Sequence, residues 1–197
     1  NQWGWILGMF TIAYAAFEIP TGWLGDKFGG KKILIRVVLW WSLFTILTGF
    51  ANGFVMLLLV RFLFGMGEAG AYPNTSIVLA KWFPAFERGR AQAVIWGASR
   101  LGAALTPFVV LPIQQKYSWH TSFYILGFVG IVWTLFWIFW HKEEPAQSKS
   151  ISKEELEFIH THRDIGDNNT AVKTSFLSGF KNKNLGYLLI MYVCYAI

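Results

Sequence analysis

Cysteine and charge are both scarce. One cysteine, Cys194, occurs in 197 residues and sits within an apolar run. It has no partner for an internal disulfide, and the sequence offers neither a redox framework nor a thiolate zinc site; Cys194 reads as a small membrane residue. Charged residues make up 14% of the chain against 54% hydrophobic, with 11 Trp and 18 Phe. That is too little charge for the surface of an ordinary soluble domain, so lipid is the expected solvent. No methionine and no basic-then-apolar leader precedes Asn1, and the chain stops inside the apolar run Leu185 to Ile197. Both ends therefore read as cut, with further helices expected on each side. No glycine-rich phosphate loop, hydrolase signature or catalytic constellation is apparent, which sets an enzyme reading aside. No cofactor is implied. Acidic residues are outnumbered, giving a formal charge of +6 and a pI near 9.5. The lysines and arginines fall mostly in short stretches between apolar runs, as membrane topology demands, so nucleic acid is not an expected partner.

What is present is a series of runs long enough to span a bilayer, each about 20 predominantly apolar residues. They cover Trp3 to Leu24, Ile33 to Ala51, Phe54 to Ala80, Ala91 to Pro112 and Trp119 to Trp140. Such lengths exceed the roughly 9–11 residues of a barrel strand, so the expected fold is all-α, a polytopic membrane helical bundle. Basic residues alternate between connections. Lys27, Lys31 and Lys32 mark the first, none marks Asn52–Gly53, Lys81, Arg88 and Arg90 mark the third, and Lys116 stands alone in the fourth. The first, third and fifth connections are therefore expected in the cytoplasm. The fifth, His141 to Asn184, is too polar to enter lipid. Within it Ser152 precedes Glu155 by three residues, and Leu156 and Ile159 recur at helical spacing. The pattern predicts a short amphipathic helix over Lys153 to Arg163, lying against the inner mouth of the bundle. His160 and His162 are two apart, on different helix faces, so no metal site is expected there.

The most informative motif is Gly22-Trp23-Leu24-Gly25-Asp26-Lys27-Phe28-Gly29-Gly30-Lys31-Lys32, where one span ends and the next begins. It resembles the major facilitator superfamily signature between helices two and three. The resemblance implies a cytoplasmic gate in which glycines permit a tight turn and close helix approach, while Asp26 and the basic residues Lys27, Lys31 and Lys32 form a charge network. Gly30 stands where the family usually has arginine or lysine, so one gate contact is either absent or shifted to Lys31. The other reading of the loop is a purely topogenic positive cluster. Three further stretches are similar to the anion:cation symporter branch: Arg61-Phe62-Leu63-Phe64-Gly65-Met66-Gly67-Glu68-Ala69-Gly70, Trp82-Phe83-Pro84 with Glu87-Arg88-Gly89-Arg90, and Tyr117-Ser118-Trp119 with Phe123-Tyr124. Glu87 and Arg88 join the expected gate. On this resemblance residues 1–140 are helices two to six of an N-terminal six-helix half lacking helix one. Residues 141–184 are the linker, and residues 185–197 begin helix seven.

The residues themselves already point to a site. A charge at bilayer depth costs at least about 2.5 kcal/mol on insertion scales and usually lines a cavity or pairs with another charge. Arg61 and Glu68 are such charges, seven residues and roughly 10.5 Å apart along one face of a continuous helix. Gly65, Tyr72 and Thr75 extend that stripe. Arg61 is the expected anion clamp, because a guanidinium binds a carboxylate in bidentate fashion. Glu68 is the expected proton site: burial favours a neutral carboxyl and a nearby guanidinium a charged one, so a cation that moves switches it. A permanent structural pair is the competing reading. Arg100, among the small residues Gly97-Ala98-Ser99 and Gly102, is a second cationic contact for substrate or a structural charge. Glu18 reads as a gate or core-facing residue, and Pro73 as a kink in helix four. The expected function is proton-coupled uptake of a small organic anion, such as a sugar acid, by alternating access in the plasma membrane. The expected partners are the anion, protons, lipid and the C-terminal half of the same carrier. A proton-independent facilitator or exporter is the alternative.

Overall fold

A computed structural model describes residues 2–148 and 150–163, together with Tyr187 and Met191. The chain divides into two units, residues 1–163 and 164–197. In the second, the two described residues are helical and exposed.

The first unit is helical throughout its ordered elements: α1 (Gln2–Phe28), α2 (Gly30–Gly49), α3 (Phe54–Glu68), α4 (Ala71–Trp82), α5 (Arg88–Lys116), α6 (Trp119–Trp140) and α7 (Lys153–His162). One 3-10 turn, Pro145–Gln147, precedes α7. No strand occurs among the described residues. The connections are short, so successive long helices run antiparallel. Gly29, with φ of 93°, alone separates α1 from α2, a left-handed turn that favours glycine. Serine side chains cap two of the helices: Ser118 Oγ accepts the Thr121 N–H of α6, and Ser152 Oγ accepts the Glu155 N–H of α7.

Among the described residues, four stretches are long and apolar enough to cross a membrane: Gly30–Gly49, Phe54–Trp82, Arg88–Lys116 and Trp119–Trp140. Five were expected. The absent one, α1, has the length at 27 residues, but Trp3, Trp5, Tyr14, Glu18 and Pro20 dilute its apolar character. The third stretch also departs from expectation, because it is two helices. Ala69 turns extended (φ −53°, ψ 133°) and Gly70 left-handed (φ 92°, ψ 1°), so α3 stops at Glu68 and α4 restarts at Ala71.

Small residues set the helix contacts. Gly127 and Gly130 of α6 face Ile46 and Ser42 of α2, and a Cβ on either would collide with them. Beside them Tyr124 Oη donates to the Gly49 carbonyl at 3.0 Å. Ser42, Thr48 and Thr134, all buried, return their hydroxyls to carbonyls one turn back, so no polar group there needs water. Outward, the surface is apolar. Phe108 and Phe139 are each 77% exposed, and α5 buries no residue at all. Surface of that kind is made for lipid or for further helices.

Candidate functional site

The helix break is anchored by one side chain. Asn74 is fully buried, and its Nδ2 donates to the Gly70 carbonyl at 2.7 Å and to the Thr21 carbonyl of α1 at 3.2 Å. Pro73, expected to kink helix four, acts at the carbonyl one turn earlier. It has no N–H for the Ala69 carbonyl and its ring crowds that group, so the chain leaves the helix at Ala69 and Pro73 sits harmlessly in the first turn of α4. The signature glycines close around the same point. A Cβ on Gly25 would enter the Asn74 carboxamide, one on Gly30 would lie 2.9 Å from the Asn74 carbonyl oxygen, and one on Gly22 would touch Pro73 at 3.4 Å. Gly30, where a basic residue was expected, is thus filled by α4, and no side chain fits there.

Above the break, α3 is gripped on two sides. A Cβ on Gly65 would strike the Phe10 backbone of α1, and one on Gly67 the Trp40 indole of α2, whose Nε1 donates to the Leu63 carbonyl at 2.8 Å. Arg61 and Glu68 are both half-buried on this helix. The Arg61 guanidinium lies over the Phe64 ring, 5.7 Å from its centroid. The two charges form no ion pair; among the described residues the ion pairs are Lys81 with Glu143 and Glu144, and Arg163 with Glu144. Tyr72 and Thr75 do not continue their stripe, because the break intervenes. Tyr72 is exposed and meets the Trp96 ring at 5.8 Å, while the Thr75 hydroxyl returns to the Ala71 carbonyl at 2.7 Å. Arg100 is exposed on α5, and Glu18 is half-buried on α1.

Sequence reasoning overlooked Arg36. It lies within the second apolar run, and its Nη2 donates to the Gly67 carbonyl at 3.4 Å, one of the last carbonyls of α3, while its Nε is buried without a partner. A cation at a helix C-terminus is favourable. The signal was available, since a charge at the fourth position of the apolar run from Ile33 to Ala51 is costly.

The residues expected to form a gate divide. Asp26 and Lys32 are exposed, and Asp26 enters no ion pair among the described residues. Lys27 lies over Trp23 and Phe28, at 5.3 and 5.4 Å. Arg88 donates to the Phe83 and Ala80 carbonyls, both at 3.2 Å, and so caps α4, whereas Glu87 precedes α5 without a side-chain capping bond. Lys31 turns towards α6, its Nζ donating to the Ile138 carbonyl at 3.1 Å. Next to this lies His141, stacked on Trp137 at 4.1 Å and tilted against Trp82 at 5.1 Å. Burial, then the Lys31 charge, hold its imidazole below the ordinary histidine value against the pull of Glu143. Burial pushes the Glu144 carboxyl up, but hydrogen bonds and charge from Lys81 and Arg163 outweigh it and leave the carboxyl below the usual range. A cavity of about 510 Å3 opens beside these residues, walled by Trp41, Trp82, Trp133, Trp137 and Trp140, with Thr75 and His141 among its polar members. It is an aromatic chamber, and neither Arg61 nor Glu68 lines it.

The amino-acid sequence that builds these helices matches one family model along residues 1–197, that of the Major Facilitator Superfamily. The chain belongs to the Major Facilitator Superfamily. It is an integral membrane protein. It is 39% identical over 175 residues to the probable sulfoacetate transporter SauU of Cupriavidus necator, covering 89% of this chain and 40% of that protein. It is 34% identical over 184 residues to the probable galactarate/D-glucarate transporter GudP of Escherichia coli K12, covering 88% and 40%. The D-galactonate transporter of Escherichia coli O6:H1 is 34% identical over 173 residues, covering 87% and 40%. The chain therefore spans about 40% of the length of these relatives, each of which is named as a transporter and none as an enzyme.

Proposed function

We propose that the full-length protein is a secondary active transporter that takes up a small organic anion together with a proton by alternating access in the plasma membrane. The observation that carries this reading is Glu68 at the end of the half-helix α3, with the half-buried Arg61 two turns away and no ion pair between them. Discontinuous helices at bilayer depth are where carriers hold substrates and coupling ions. A half-buried guanidinium suits a carboxylate, and a half-buried carboxyl within its field is available to a proton. The relatives named for sulfoacetate, galactarate, D-glucarate and D-galactonate support an acidic substrate. In this reading Arg61 holds the anion, Tyr72, Thr75 and Arg100 add contacts as the halves move, and Glu68 carries the proton. The loop from Gly22 to Lys32, with Glu87 and Arg88, is the cytoplasmic gate. The helices up to residue 140 are helices two to six, and residues 185–197 open the second half, which lies outside the described residues except for Tyr187 and Met191.

The test follows uptake of labelled sulfoacetate, hexuronates, aldonates and aldarates by the full-length protein in liposomes, with and without an inward proton gradient. Glu68→Gln is expected to abolish gradient-driven accumulation while anion exchange persists. Gradient-independent uptake by both proteins would sink symport and leave a facilitator.

A further inference from the structure

The N-terminus of α2 is the gate's second limb, and it starts without a cap of its own. A helix leaves its first four N–H groups without intrahelical partners, and the N-cap residue here, Gly29, has no side chain to offer one. The missing acceptor arrives from 112 residues away: Glu143 Oε2, just past α6, accepts the Lys31 N–H at 3.1 Å. Its other oxygen, Oε1, takes Lys81 Nζ at the end of α4 at 2.7 Å. Glu144 shares the same ammonium at 3.0 Å and holds Arg163, the C-cap of α7, at 3.3 Å. The exchange is reciprocal, because Lys31 Nζ caps the Ile138 carbonyl in the last turn of α6 while Glu143 caps α2. Gly29 is needed twice, for its left-handed φ and because a Cβ would meet the Glu143 carboxylate, 2.8 Å from Cδ. The linker helix is fixed to the same corner. The Ala85 N–H donates to the His162 carbonyl at 3.2 Å, Phe86 sets its ring against Phe158 and His162, and Ile159 is buried.

We propose that Glu143 is a positioning residue of the cytoplasmic gate, capping α2 from beyond α6, and that Glu143 and Glu144 together fasten the gate turn to the linker helix. The linker is then a working part of the gate. Any excursion of the turn at Gly29 must strip the Glu143 carboxylate from the Lys31 amide or carry the ends of α4, α6 and α7 with it. This rests on reading the loop as a gate, so the experiment has an arm that is independent of transport.

Three variants of the full-length protein separate the two bonds of Glu143. Glu143→Gln keeps an acceptor for the Lys31 N–H and loses the charge facing Lys81; Glu143→Ala loses both. The exchanged pair Glu143→Lys with Lys81→Glu restores the ion pair and leaves the amide uncapped, since an ammonium accepts no hydrogen bond. Amide hydrogen exchange over residues 30–34 is expected to rise about tenfold in Glu143→Ala and in the exchanged pair, and to change by less than about threefold in Glu143→Gln. Anion exchange in liposomes is expected to slow in the same order with KM within about twofold, because the corner lies away from Arg61 and Glu68. Wild-type amide exchange in Glu143→Ala would overturn the cap. Deprotected amides with unchanged turnover would overturn the gate role and make the contact purely structural. If the protein carries none of the tested anions, deprotection at 30–34 that extends to 83–87 still supports the positioning, and the transport reading alone fails.

Discussion

Replacing Gly70 by alanine probes the helix break that sets Glu68 at the end of α3. Two costs act there. A side chain in the left-handed backbone at φ 92° is strained by about 1–3 kcal/mol. The new Cβ would also run into Thr21 of α1, and overfilling a tight contact costs about 1–3 kcal/mol more. Gly53 has φ 95° but open space around its Cβ position, so Gly53→Ala isolates the strain at about 1–3 kcal/mol. Gly97 lies in helical backbone with nothing within 4 Å, and Gly97→Ala is expected to be neutral or to stabilise by up to about 1 kcal/mol. Thermal unfolding of the full-length protein in detergent should therefore rank the apparent Tm as Gly97→Ala, then Gly53→Ala, then Gly70→Ala. If Gly70→Ala proves no worse than Gly53→Ala, the break does not rest on α1 and the reasoning about its anchor is wrong.

Asn74 supplies the matching polar test. Asn74→Ala removes two donor bonds from buried carbonyls, at about 1–3 kcal/mol. Asn74→Asp, nearly isosteric, turns a carboxylate oxygen onto the Gly70 and Thr21 carbonyls and should be the more damaging at neutral pH; the reverse order in detergent Tm would mean that Nδ2 is not the anchoring atom. At the corner formed by Lys31, His141 and Glu144 acid should loosen the linker. His141 is held neutral below the ordinary histidine value, so its stabilising contribution is complete above about pH 6.5 and is lost as pH falls towards its folded value. The Glu144 carboxyl is depressed, so its contribution is complete above the ordinary carboxyl value of about 4.3 and is lost as pH falls through the folded one. Tryptophan fluorescence on acidification should show a histidine step first, absent from His141→Gln, because a protonated imidazole against Trp137 and Trp82 quenches them; an unchanged step in that variant would refute the assignment.

Much of the architecture was legible because lipid imposes a simple rule, that backbone must be helical where the chain is apolar. Runs such as Ile33 to Ala51 and Trp119 to Trp140 coincide closely with α2 and α6. The family was legible in the turn from Gly22 to Lys32, and the match along the chain bears that out. The break at Ala69–Gly70 was not. Small residues are common in membrane helices, and the kink expected from Pro73 did not by itself show that the helix would stop and restart at the carbonyl four residues back. The single stripe from Arg61 to Thr75 failed for that reason, since helical periodicity does not cross a left-handed residue. Arg36 and Glu143 were missed differently: each sat in a segment already given an explanation, a membrane span for one and a polar linker for the other. The partners that give them meaning, Gly67 and Lys31, are distant in sequence.

The reciprocal caps at Lys31 and Glu143 also fix an order of events during synthesis. The acceptor for the first turn of α2 is encoded 112 residues downstream, which at about 5–20 residues per second is roughly 6–20 s of translation. During that interval the Lys31 amide lacks the acceptor that the finished fold supplies, whereas the Gly29 amide already has the Gly25 carbonyl. The gate turn is thus finished last although it is made early, and a nascent chain halted before α6 carries every residue of the signature without its finished geometry.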